Sequence, residues 1–279
     1  MYNYHKHGEI EEENKMKKIG KVLALFLCFA LLASIAVGCG DKQSDAGGSD
    51  VGEGGKEVWV VGTSPDYPPF EFVDEKGDFV GFDMELIHEV GERLGVEVKV
   101  EGLEFDSLIA SLKQGKIDAI IACMSPDEER LQEADFTIPY YNTKHGVLVK
   151  PDGEADIKNI DDVLKYEFGV QTGTTMDTWA TSKLEEGLIE ESQIKRYSDA
   201  NAGVLDVKNG RLAAFVIDLP VAYEKAKELE LKVAVETVLE KDEDPGIVLA
   251  KGSDEMIEKL NAIIEDMIGD GTIEKLEEK

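Results

Sequence analysis

One arginine stands in an acidic segment of the chain, shortly after a buried apolar run. The run Ile117–Met124 is typical of a buried strand, and a turn beginning at Ser125 separates it from Arg130. Ligands of open α/β sheets bind at the carboxyl ends of the strands, so this position favours a ligand contact. A guanidinium group offers a planar fork of donors that matches a carboxylate. Arg130 is therefore a candidate carboxylate-binding residue, and a local ion pair with Glu133 or Asp135 is the alternative.

Two further strand-to-helix loops carry polar groups suited to a small charged ligand. Gly173, Thr174 and Thr175 follow a short apolar strand, and amides and hydroxyls at a helix N-terminus can form an anion site. Asp218 follows the buried run 212–217 and can accept hydrogen bonds from an ammonium group. Each loop has a structural alternative, because threonine and aspartate are also common helix N-caps.

Aromatic and small residues complete the candidate site. Tyr67 lies in an extended, proline-rich loop and Phe105 begins a helix, so the two rings could enclose a ligand side chain or belong to the core. Ser125 adds a hydroxyl group close to Arg130 in sequence. With Arg130 on a carboxylate and Asp218 on an ammonium group, these residues predict a site for an amino-acid-like zwitterion.

The elements that must position these residues alternate along the chain between strands and helices. Apolar residues recur at helical spacing from Leu86 onward, with Asp83 as the expected N-cap and Gly95 as the stop. Asp199 and Ser253 are the expected caps of two later helices. This alternation predicts an α/β fold with largely parallel sheets.

A nine-residue pattern occurs twice, at 113–121 and at 208–216. In each copy a helix end, a glycine, a basic residue and a buried strand follow one another. One copy leads to Ser125 and Arg130, and the other leads to Asp218. Such an echo is expected if two similar lobes face one another.

The composition restricts the class of partner. The chain of 279 residues is long enough for one large domain or two lobes. Lys and Arg number 30 against 59 Asp and Glu, which gives a formal net charge of −29 at pH 7. This acidity argues against a nucleic-acid partner, because phosphates require a basic surface. It indicates instead a solvated surface that keeps the protein soluble. No cofactor or metal site is predicted.

Residues 1–39 carry the pattern of an export signal. The apolar run Val22–Val37 is too short for a comfortable membrane span, and it leads to Cys39. Cys39 stands where a lipoprotein signal places the cysteine that receives lipid, which predicts attachment to the outer face of the cell membrane; an ordinary cleaved signal is the alternative. Residues 1–15 precede a more natural start, and 40–55 have the composition of a flexible tether.

Of the three cysteines, Cys28 and Cys39 fall within that signal. Only Cys123 remains in the segment expected to fold, so no intrachain disulfide is predicted there. Because it lies in an apolar run, Cys123 is expected to be a small core residue and not a nucleophile.

Several stretches, in a fixed order, resemble one known family: the extracellular solute-binding proteins of polar amino-acid ABC importers. The matching stretches are 62–72, 81–95, 105–141, 167–175, 210–222 and 246–276, and together they span essentially all of residues 57–279. The resemblance implies a type II periplasmic-binding-protein-like fold with two lobes, each a mostly parallel sheet flanked by helices. Two crossing segments would join the lobes, which close on a ligand held in the cleft. The lobes would comprise 56–144 with 245–279, and 145–244.

The resemblance also implies roles for individual residues. Arg130 takes the family's carboxylate-binding position, and Asp218 takes its α-ammonium position. Further ligand contacts would come from Ser64, Tyr67, Phe105, Cys123, Ser125, Thr174 and Thr175. Some members that bind basic side chains have an aspartate where this chain has Ser64. This difference disfavours a basic ligand, although Asp66 and Glu71 lie nearby and could substitute.

The function that the resemblance implies is a monomeric receptor without catalytic groups. It would capture a free L-amino acid, polar and neutral or cystine-like, and deliver it to the transmembrane subunits of an ABC permease. The rival is an enzyme on the same scaffold, similar to a cyclohexadienyl or arogenate dehydratase. Such an enzyme needs a general acid in the cleft with a displaced pKa, for which Asp66, Glu71 and Asp218 are the candidates. A sensor domain is a third interpretation.

Overall fold

The computed structural model describes residues 57–239 and 244–278. The predicted export signal, the lipidation position Cys39 and the predicted tether lie outside the described residues. Within the part that is described, no helix combines the length and the apolar character needed to cross a membrane.

The first lobe is built on a five-stranded sheet. Its strands are β1 (Val58–Thr63), β5 (Glu97–Gly102), β6 (Ala119–Ile120), β7 (Ala134–Phe136) and β13 (Val248–Ala250), in the order β5-β1-β6-β13-β7. A small antiparallel sheet, β2 (Asp66–Tyr67), β3 (Glu71–Val73) and β4 (Phe79–Val80), follows β1. The helices are α1 (Phe82–Leu94), α2 (Leu108–Lys113), α3 (Arg130–Glu133), α8 (Asp254–Gly269) and α9 (Thr272–Glu277), with a 3-10 turn over Phe105–Ser107.

The second lobe repeats this plan with its own five-stranded sheet. Its strands are β8 (His145–Val149), β9 (Phe168–Gln171), β10 (Ile194–Tyr197), β11 (Ala214–Asp218) and β12 (Lys232–Thr237), in the order β10-β9-β11-β8-β12. Its helices are α4 (Ile160–Val163), α5 (Thr175–Glu185), α6 (Ala200–Lys208) and α7 (Leu219–Leu229), with a 3-10 turn over Glu191–Gln193.

The α/β class with two mostly parallel sheets is as predicted: in each sheet four strands run in one direction and one strand runs against them. In both lobes two neighbouring pairings are parallel and two are antiparallel. The antiparallel pairings involve β13 in the first lobe and β8 in the second. Each of these strands directly follows a passage of the chain from one lobe to the other, so it enters its sheet without the helical crossover that parallel pairing requires.

The nine-residue echo corresponds to equivalent places in the two lobes. Gly115 (φ 65°) follows α2, and Gly210 (φ 72°) follows α6. The strands that come next, β6 and β11, are the central strands of the two sheets. Both glycines adopt the left-handed conformation that stops a helix, so the echo records the same local turn in each lobe.

The predicted strand over Ile117–Met124 is wrong in its length. Only Ala119 and Ile120 form ladder pairs, although the run is buried throughout except at Asp118. The ladder ends because the amide of Cys123 turns away to a carboxylate of Asp83 (2.8 Å) and the hydroxyl of Tyr140 (3.2 Å). Cys123 itself has φ 45°, a value uncommon for a residue other than glycine.

Helix α1 begins differently from the prediction. Leu86, Ile87 and Val90 are fully buried and Gly95 ends the helix at φ 84°, as expected. The N-cap, however, is Gly81, and Asp83 lies inside the first turn with its side chain buried. Its carboxylate therefore does not cap the helix and instead holds the end of the apolar run described above.

The other two expected caps have different outcomes. Asp199 caps α6, because its side chain accepts a hydrogen bond from the amide of Ala202 at 3.1 Å. Ser253 occupies the N-cap position of α8 but makes no side-chain cap bond there. Its hydroxyl donates instead to the carbonyl of Ala250 at 2.6 Å.

Candidate ligand-binding site

A cavity lies where the two lobes meet, beyond the carboxyl ends of β1 and β11. Its volume, including the solvent-filled space at its opening, is about 340 Å³. The lining residues are Ser64, Asp66, Tyr67, Glu71, Phe105, Ala122, Cys123, Ser125, Arg130, Gln171, Thr174, Thr175, Met176 and Asp218. All nine residues that the sequence analysis selected as ligand contacts are among them. The lobes therefore stand close together around a small polar chamber.

Arg130 is the first residue of α3, is buried and lines the cavity. Its guanidinium donates to the carbonyl of Ser125 (2.5 Å) and, across the lobes, to the carbonyl of Gly173 (2.5 Å). Asp127 holds Arg130 in place. Its carboxylate accepts a hydrogen bond from the Arg130 backbone amide at 2.8 Å and forms an ion pair with the guanidinium at 3.5 Å. The ring of Phe105 lies 5.4 Å from the guanidinium carbon. The charged group is thus held at the cavity wall with one face against an aromatic ring.

The local ion pairs predicted as the alternative for Arg130 involve other cations. Glu133 pairs with Lys113 at 2.7 Å, and Asp135 pairs with Lys251 at 2.7 Å. The carboxylate that pairs with Arg130 is Asp127, which the sequence analysis did not single out.

Asp218 faces Tyr67 from the second lobe. The Tyr67 hydroxyl donates to Oδ2 of Asp218 at 2.6 Å and accepts from the Asp218 amide at 3.2 Å. Burial, followed by the charge of Asp218, holds the pKa of Tyr67 well above its usual value, so the phenol remains a donor. Nε2 of His145 lies 3.9 Å from the other carboxylate oxygen. Asp218 occupies the N-cap position of α7 but makes no side-chain cap bond, so the capping alternative does not account for its side chain.

Thr174 does cap its helix. Its hydroxyl accepts from the amide of Asp177 (3.3 Å) and donates to the carbonyl of Gln171 (2.8 Å). The loop also uses its own amides, since that of Gly173 donates to Asp177 at 3.0 Å and that of Thr174 reaches Gln171 at 3.4 Å. The expected anion site over these amides is therefore partly engaged within the loop, while Thr175 lines the cavity beside it.

Asp66 links the lobes from the floor of the cavity. One carboxylate oxygen accepts from the amide of Ala200 (2.7 Å) and from the side chain of Gln171 (3.1 Å), and the other lies 3.2 Å from the Ser64 hydroxyl. Burial is the leading cause of the raised pKa of Asp66, and the hydrogen bond from Ala200 opposes it. The sequence analysis had noted Asp66 as a substitute for Ser64 and as a candidate general acid, but not as a link between the lobes. Gln171, which ends β9 as a buried amide, had not been selected at all.

Glu71 and Asp83 form a buried carboxyl pair behind the cavity wall. Glu71 is 1% exposed and lines the cavity, and Asp83 is 0% exposed behind it. One oxygen of Asp83 accepts from the Cys123 amide and, at 2.9 Å, from the Tyr140 hydroxyl. Burial raises the pKa of Asp83 to about 6, and burial together with the charge of Asp83 raises that of Glu71 well above its usual value. The sequence could not reveal this pair, because an aspartate at a helix start has the same pattern whether it caps or is buried.

Comparison with known proteins adds independent information. Residues 59–279 match the family model of the bacterial extracellular solute-binding proteins, family 3. The chain is 30% identical over 220 residues to the L-cystine-binding protein TcyJ of Escherichia coli K12, covering 79% of this chain and 81% of the relative. It is also 30% identical over 260 residues to the arginine-binding extracellular protein ArtP of Bacillus subtilis, covering 92% and 95% of the two chains.

Solved structures agree with these sequence relatives and with the predicted two-lobed fold. An ancestral arginine-binding protein bound to arginine matches with a TM-score of 0.73 at 34% identity, covering 79% of this chain and 96% of the other. The ancestral amino acid-binding protein AncCDT-1, a precursor of cyclohexadienyl dehydratase, matches with a TM-score of 0.69 at 31% identity, covering 79% and 94%. Family match, relatives and fold therefore coincide: the chain belongs to the bacterial extracellular solute-binding proteins, family 3.

Proposed function

We propose that this protein captures a free L-amino acid outside the cell membrane and delivers it to the transmembrane subunits of an ABC permease. One observation carries the proposal: a buried guanidinium and a buried carboxylate, Arg130 and Asp218, line the same small cavity from different lobes. Their charges are complementary to those of an α-amino acid. The names of its relatives support this function, because they include ABC transporter proteins that bind arginine.

Each end of the zwitterion has its own partner in the proposed complex. The ligand carboxylate takes the place of the backbone carbonyls that now accept from Arg130, and each charge-assisted hydrogen bond contributes about 1.5–3 kcal/mol. The ligand ammonium group donates to Asp218, whose carboxylate Tyr67 orients. The Phe105 and Tyr67 rings line the space left for the ligand side chain, and Ser64, Cys123, Ser125, Thr174 and Thr175 complete the proposed contacts.

Ligand capture is proposed to occur by hinge closure of two lobes, 56–144 with 245–279 and 145–244. Three observations support these boundaries. The two sheets draw their strands from these ranges. The chain passages between them lie side by side, since Asn142 and Thr143 both hydrogen-bond to Asp244. Direct hydrogen bonds join the two lobes across the cavity.

A ligand screen tests the proposed function. Thermal unfolding of the purified protein is measured with each of the twenty common amino acids and with cystine, because a ligand of the folded state raises the melting temperature. Hits are confirmed by titration calorimetry against the matching acid that lacks the α-amino group. An amino acid that raises the melting temperature and binds far more tightly than its deaminated analogue is the expected result. The absence of any amino-acid ligand would refute the proposal.

We propose that the protein is not an enzyme, although one observation favours a dehydratase as the second candidate. Glu71 is a carboxyl group with a raised pKa in the cavity wall, as a general acid would be. Burial and the neighbouring charge of Asp83 account for that raised pKa without any catalytic role. Incubation with arogenate and prephenate decides between the two, because release of the dehydrated aromatic product would establish catalysis, whereas the proposed receptor leaves both compounds unchanged.

The family name indicates an extracellular protein. We further propose that lipid is attached at Cys39 and that the protein is a monomer. The position of Cys39 after the apolar run supports the lipid anchor. A Cys39→Ser variant expressed in a bacterial host should appear in the soluble fraction, while the unmodified chain remains with the membranes. Equal membrane association of both proteins would refute the anchor, and light scattering of the soluble variant tests the monomer.

A further inference from the structure

Two oxygen atoms behind the cavity wall require a proton between them. Oε2 of Glu71 and Oδ1 of Asp83 are both buried and receive no hydrogen bond from any donor among the described residues. The two residues are nevertheless neighbours, because the Asp83 amide donates to the carbonyl of Phe70, the residue before Glu71, at 2.8 Å, and their carboxyl groups interact electrostatically. Carboxylates only accept hydrogen bonds, so the two groups can bond to one another only when one of them carries a proton. If both groups were ionised, these two oxygen atoms would be buried without a hydrogen-bond donor, and the two negative charges would repel one another.

The surroundings of the pair decide which residue holds the proton. Asp83 accepts from the Cys123 amide and the Tyr140 hydroxyl, and both bonds favour its ionised form. Within the described part of the chain no donor reaches the Glu71 carboxyl group, which also faces the negative charges of Asp83, Asp66 and Asp218. The proton therefore resides on Glu71, which donates it to Asp83.

Acidic side chains outnumber basic ones in the lining of the cavity. Asp66, Glu71 and Asp218 line it together with a single guanidinium, that of Arg130. In the proposed complex the ligand carboxylate and ammonium occupy Arg130 and Asp218. The side-chain amide of Gln171 and the Ala200 amide already donate to Asp66. Glu71 is then the carboxyl group whose charge a ligand side chain can change.

We propose that the Glu71–Asp83 pair holds one proton in the free protein, and that a ligand with a cationic side chain binds by displacing this proton to solvent. The balance is simple: protonated Glu71 and a cation give ionised Glu71 paired with the cation and one proton in the buffer. A ligand with a neutral, hydrogen-bonding side chain leaves the proton in place. This inference deepens the proposed function and rests on it. It also reverses the expectation, drawn from Ser64, that a basic ligand is disfavoured.

The displacement releases a single proton only if the other titratable groups around the Glu71–Asp83 pair keep their protonation states when the ligand binds. The phenols of Tyr67 and Tyr140 have pKa values well above their usual range because of burial, so they stay neutral. Cys123 is buried and lines the same cavity. His145 lies beyond Asp218, with Nε2 3.9 Å from its carboxylate, and it is the residue replaced in the control variant.

L-Arginine and L-citrulline provide the test, because they have similar shape and differ in the charge of the side chain. Each is titrated calorimetrically at several pH values in two buffers of different ionisation enthalpy, which counts the protons released. We expect about one proton released with arginine and none with citrulline. The arginine affinity should rise by about tenfold per pH unit while Glu71 is protonated in the free protein. Arginine binding without proton release, or binding of citrulline but not arginine, would overturn the inference.

Variants assign the proton to its residue. Glu71→Gln keeps a neutral hydrogen-bond donor at the cavity, so citrulline affinity should be retained, while arginine affinity falls at least tenfold and its proton release disappears. His145→Gln is the control and should still release a proton with arginine. If Glu71→Gln fails to fold, difference infrared spectroscopy of the unmodified protein replaces it: the C=O band of a protonated carboxyl must disappear on adding arginine and persist with citrulline.

These outcomes separate the inference from the function on which it rests. Arginine binding without proton release leaves the receptor function intact and refutes the carboxyl-pair mechanism. Failure of arginine, citrulline, cystine and every other common amino acid to bind refutes the receptor function itself.

Discussion

At the scale of single residues, the guanidinium of Arg130 is expected to have the largest effect on ligand affinity. Arg130→Ala removes both donors offered to a ligand carboxylate, so we expect amino-acid affinity to fall by more than about 100-fold, as the loss of two charge-assisted bonds implies. Arg130→Lys should restore only part of it, because an ammonium group lacks the planar fork. Titration calorimetry measures both.

An arginine outside the cavity provides the matched control. Arg93 makes ion pairs on the surface of the first lobe, with Glu89 at 2.8 Å and Asp270 at 2.9 Å. Arg93→Ala should leave the affinity unchanged. A full loss in this variant, or retained affinity in Arg130→Ala, would contradict the carboxylate role.

The second residue-scale prediction concerns Asp218. Asp218→Asn keeps the shape of the side chain but removes the charge that pairs with an ammonium group. We expect the affinity for an amino acid to fall at least tenfold further than the affinity for its deaminated analogue, both measured by calorimetry. Asp206→Asn is the control, since Asp206 accepts from Tyr197 at 2.7 Å in a similar contact outside the cavity lining. Equal losses for both ligands in Asp218→Asn would exclude the ammonium role.

The same scale shows how far a sequence can predict a site. Arg130 could be selected as a candidate because it is a charged residue that closely follows a buried apolar run. Charge and position together limit the roles that such a residue can have. Asp83 and Gln171 could not be selected in this way, because their contacts depend on where distant chain segments meet. The amide that Asp83 accepts from lies 40 residues away, and the carboxylate that Gln171 donates to lies 105 residues away. No local spacing encodes such pairs.

At the scale of elements, Gly81 fixes how the small sheet meets α1. It has φ 119°, and a Cβ atom there would lie 2.4 Å from the carbonyl oxygen of Phe70. The neighbouring amides of Phe82 and Asp83 donate to the carbonyls of Pro69 (2.9 Å) and Phe70 (2.8 Å). This close approach places Asp83 behind the cavity wall.

A single methyl group at this junction should therefore be costly. We expect Gly81→Ala to lower the free energy of unfolding by more than about 2 kcal/mol, because the alanine would suffer both backbone strain and a steric clash. Gly77→Ala separates the two effects, because Gly77 also has a positive φ (90°) but nothing lies within 4 Å of an added Cβ. Urea unfolding measures the stability of both variants. An equal decrease in the free energy of unfolding would show that the clash at Gly81 does not contribute.

Helices and their stops were the elements best predicted from sequence, and strand lengths were the least. The glycine after α1 and the glycines in the echo determine local backbone angles, which neighbouring residues do not change. The end of β6 depends instead on the competition between ladder partners and the side chains of Asp83 and Tyr140 for the Cys123 amide. Apolar composition alone cannot settle that competition.

At the scale of the whole molecule, the buried carboxyl groups connect folding to pH. The pKa of Asp83 rises from 3.8 to about 6, and those of Asp66 and Glu71 are raised as well, chiefly by burial. The folded chain therefore binds more protons than the unfolded chain, and the free energy of unfolding falls as the pH rises through this range. The slope is about 1.4 kcal/mol per pH unit for each proton.

Urea unfolding at pH 5, 6, 7 and 8 without ligand measures this slope. Above pH 5 most ordinary carboxyl groups are already ionised in both states, so the change reports mainly on the buried groups. Glu71→Gln should give a flatter profile, since one titrating group is removed. A profile that rises from pH 5 to 8 in the unmodified protein would contradict the assigned direction.

Closure of the two lobes is the remaining property of the whole molecule, and Asp66 offers a way to test it. Its carboxylate accepts hydrogen bonds from Ala200 and Gln171 across the lobes, so Asp66→Ala should shift the population toward an open form. Small-angle scattering should then show a larger radius of gyration at subsaturating ligand, with about tenfold weaker binding. Asp118→Ala is the control, because Asp118 accepts the Val60 amide at 2.8 Å within the first lobe. If both variants scatter alike, the bonds to Asp66 do not govern closure, and the proposed hinge must be driven by the ligand alone.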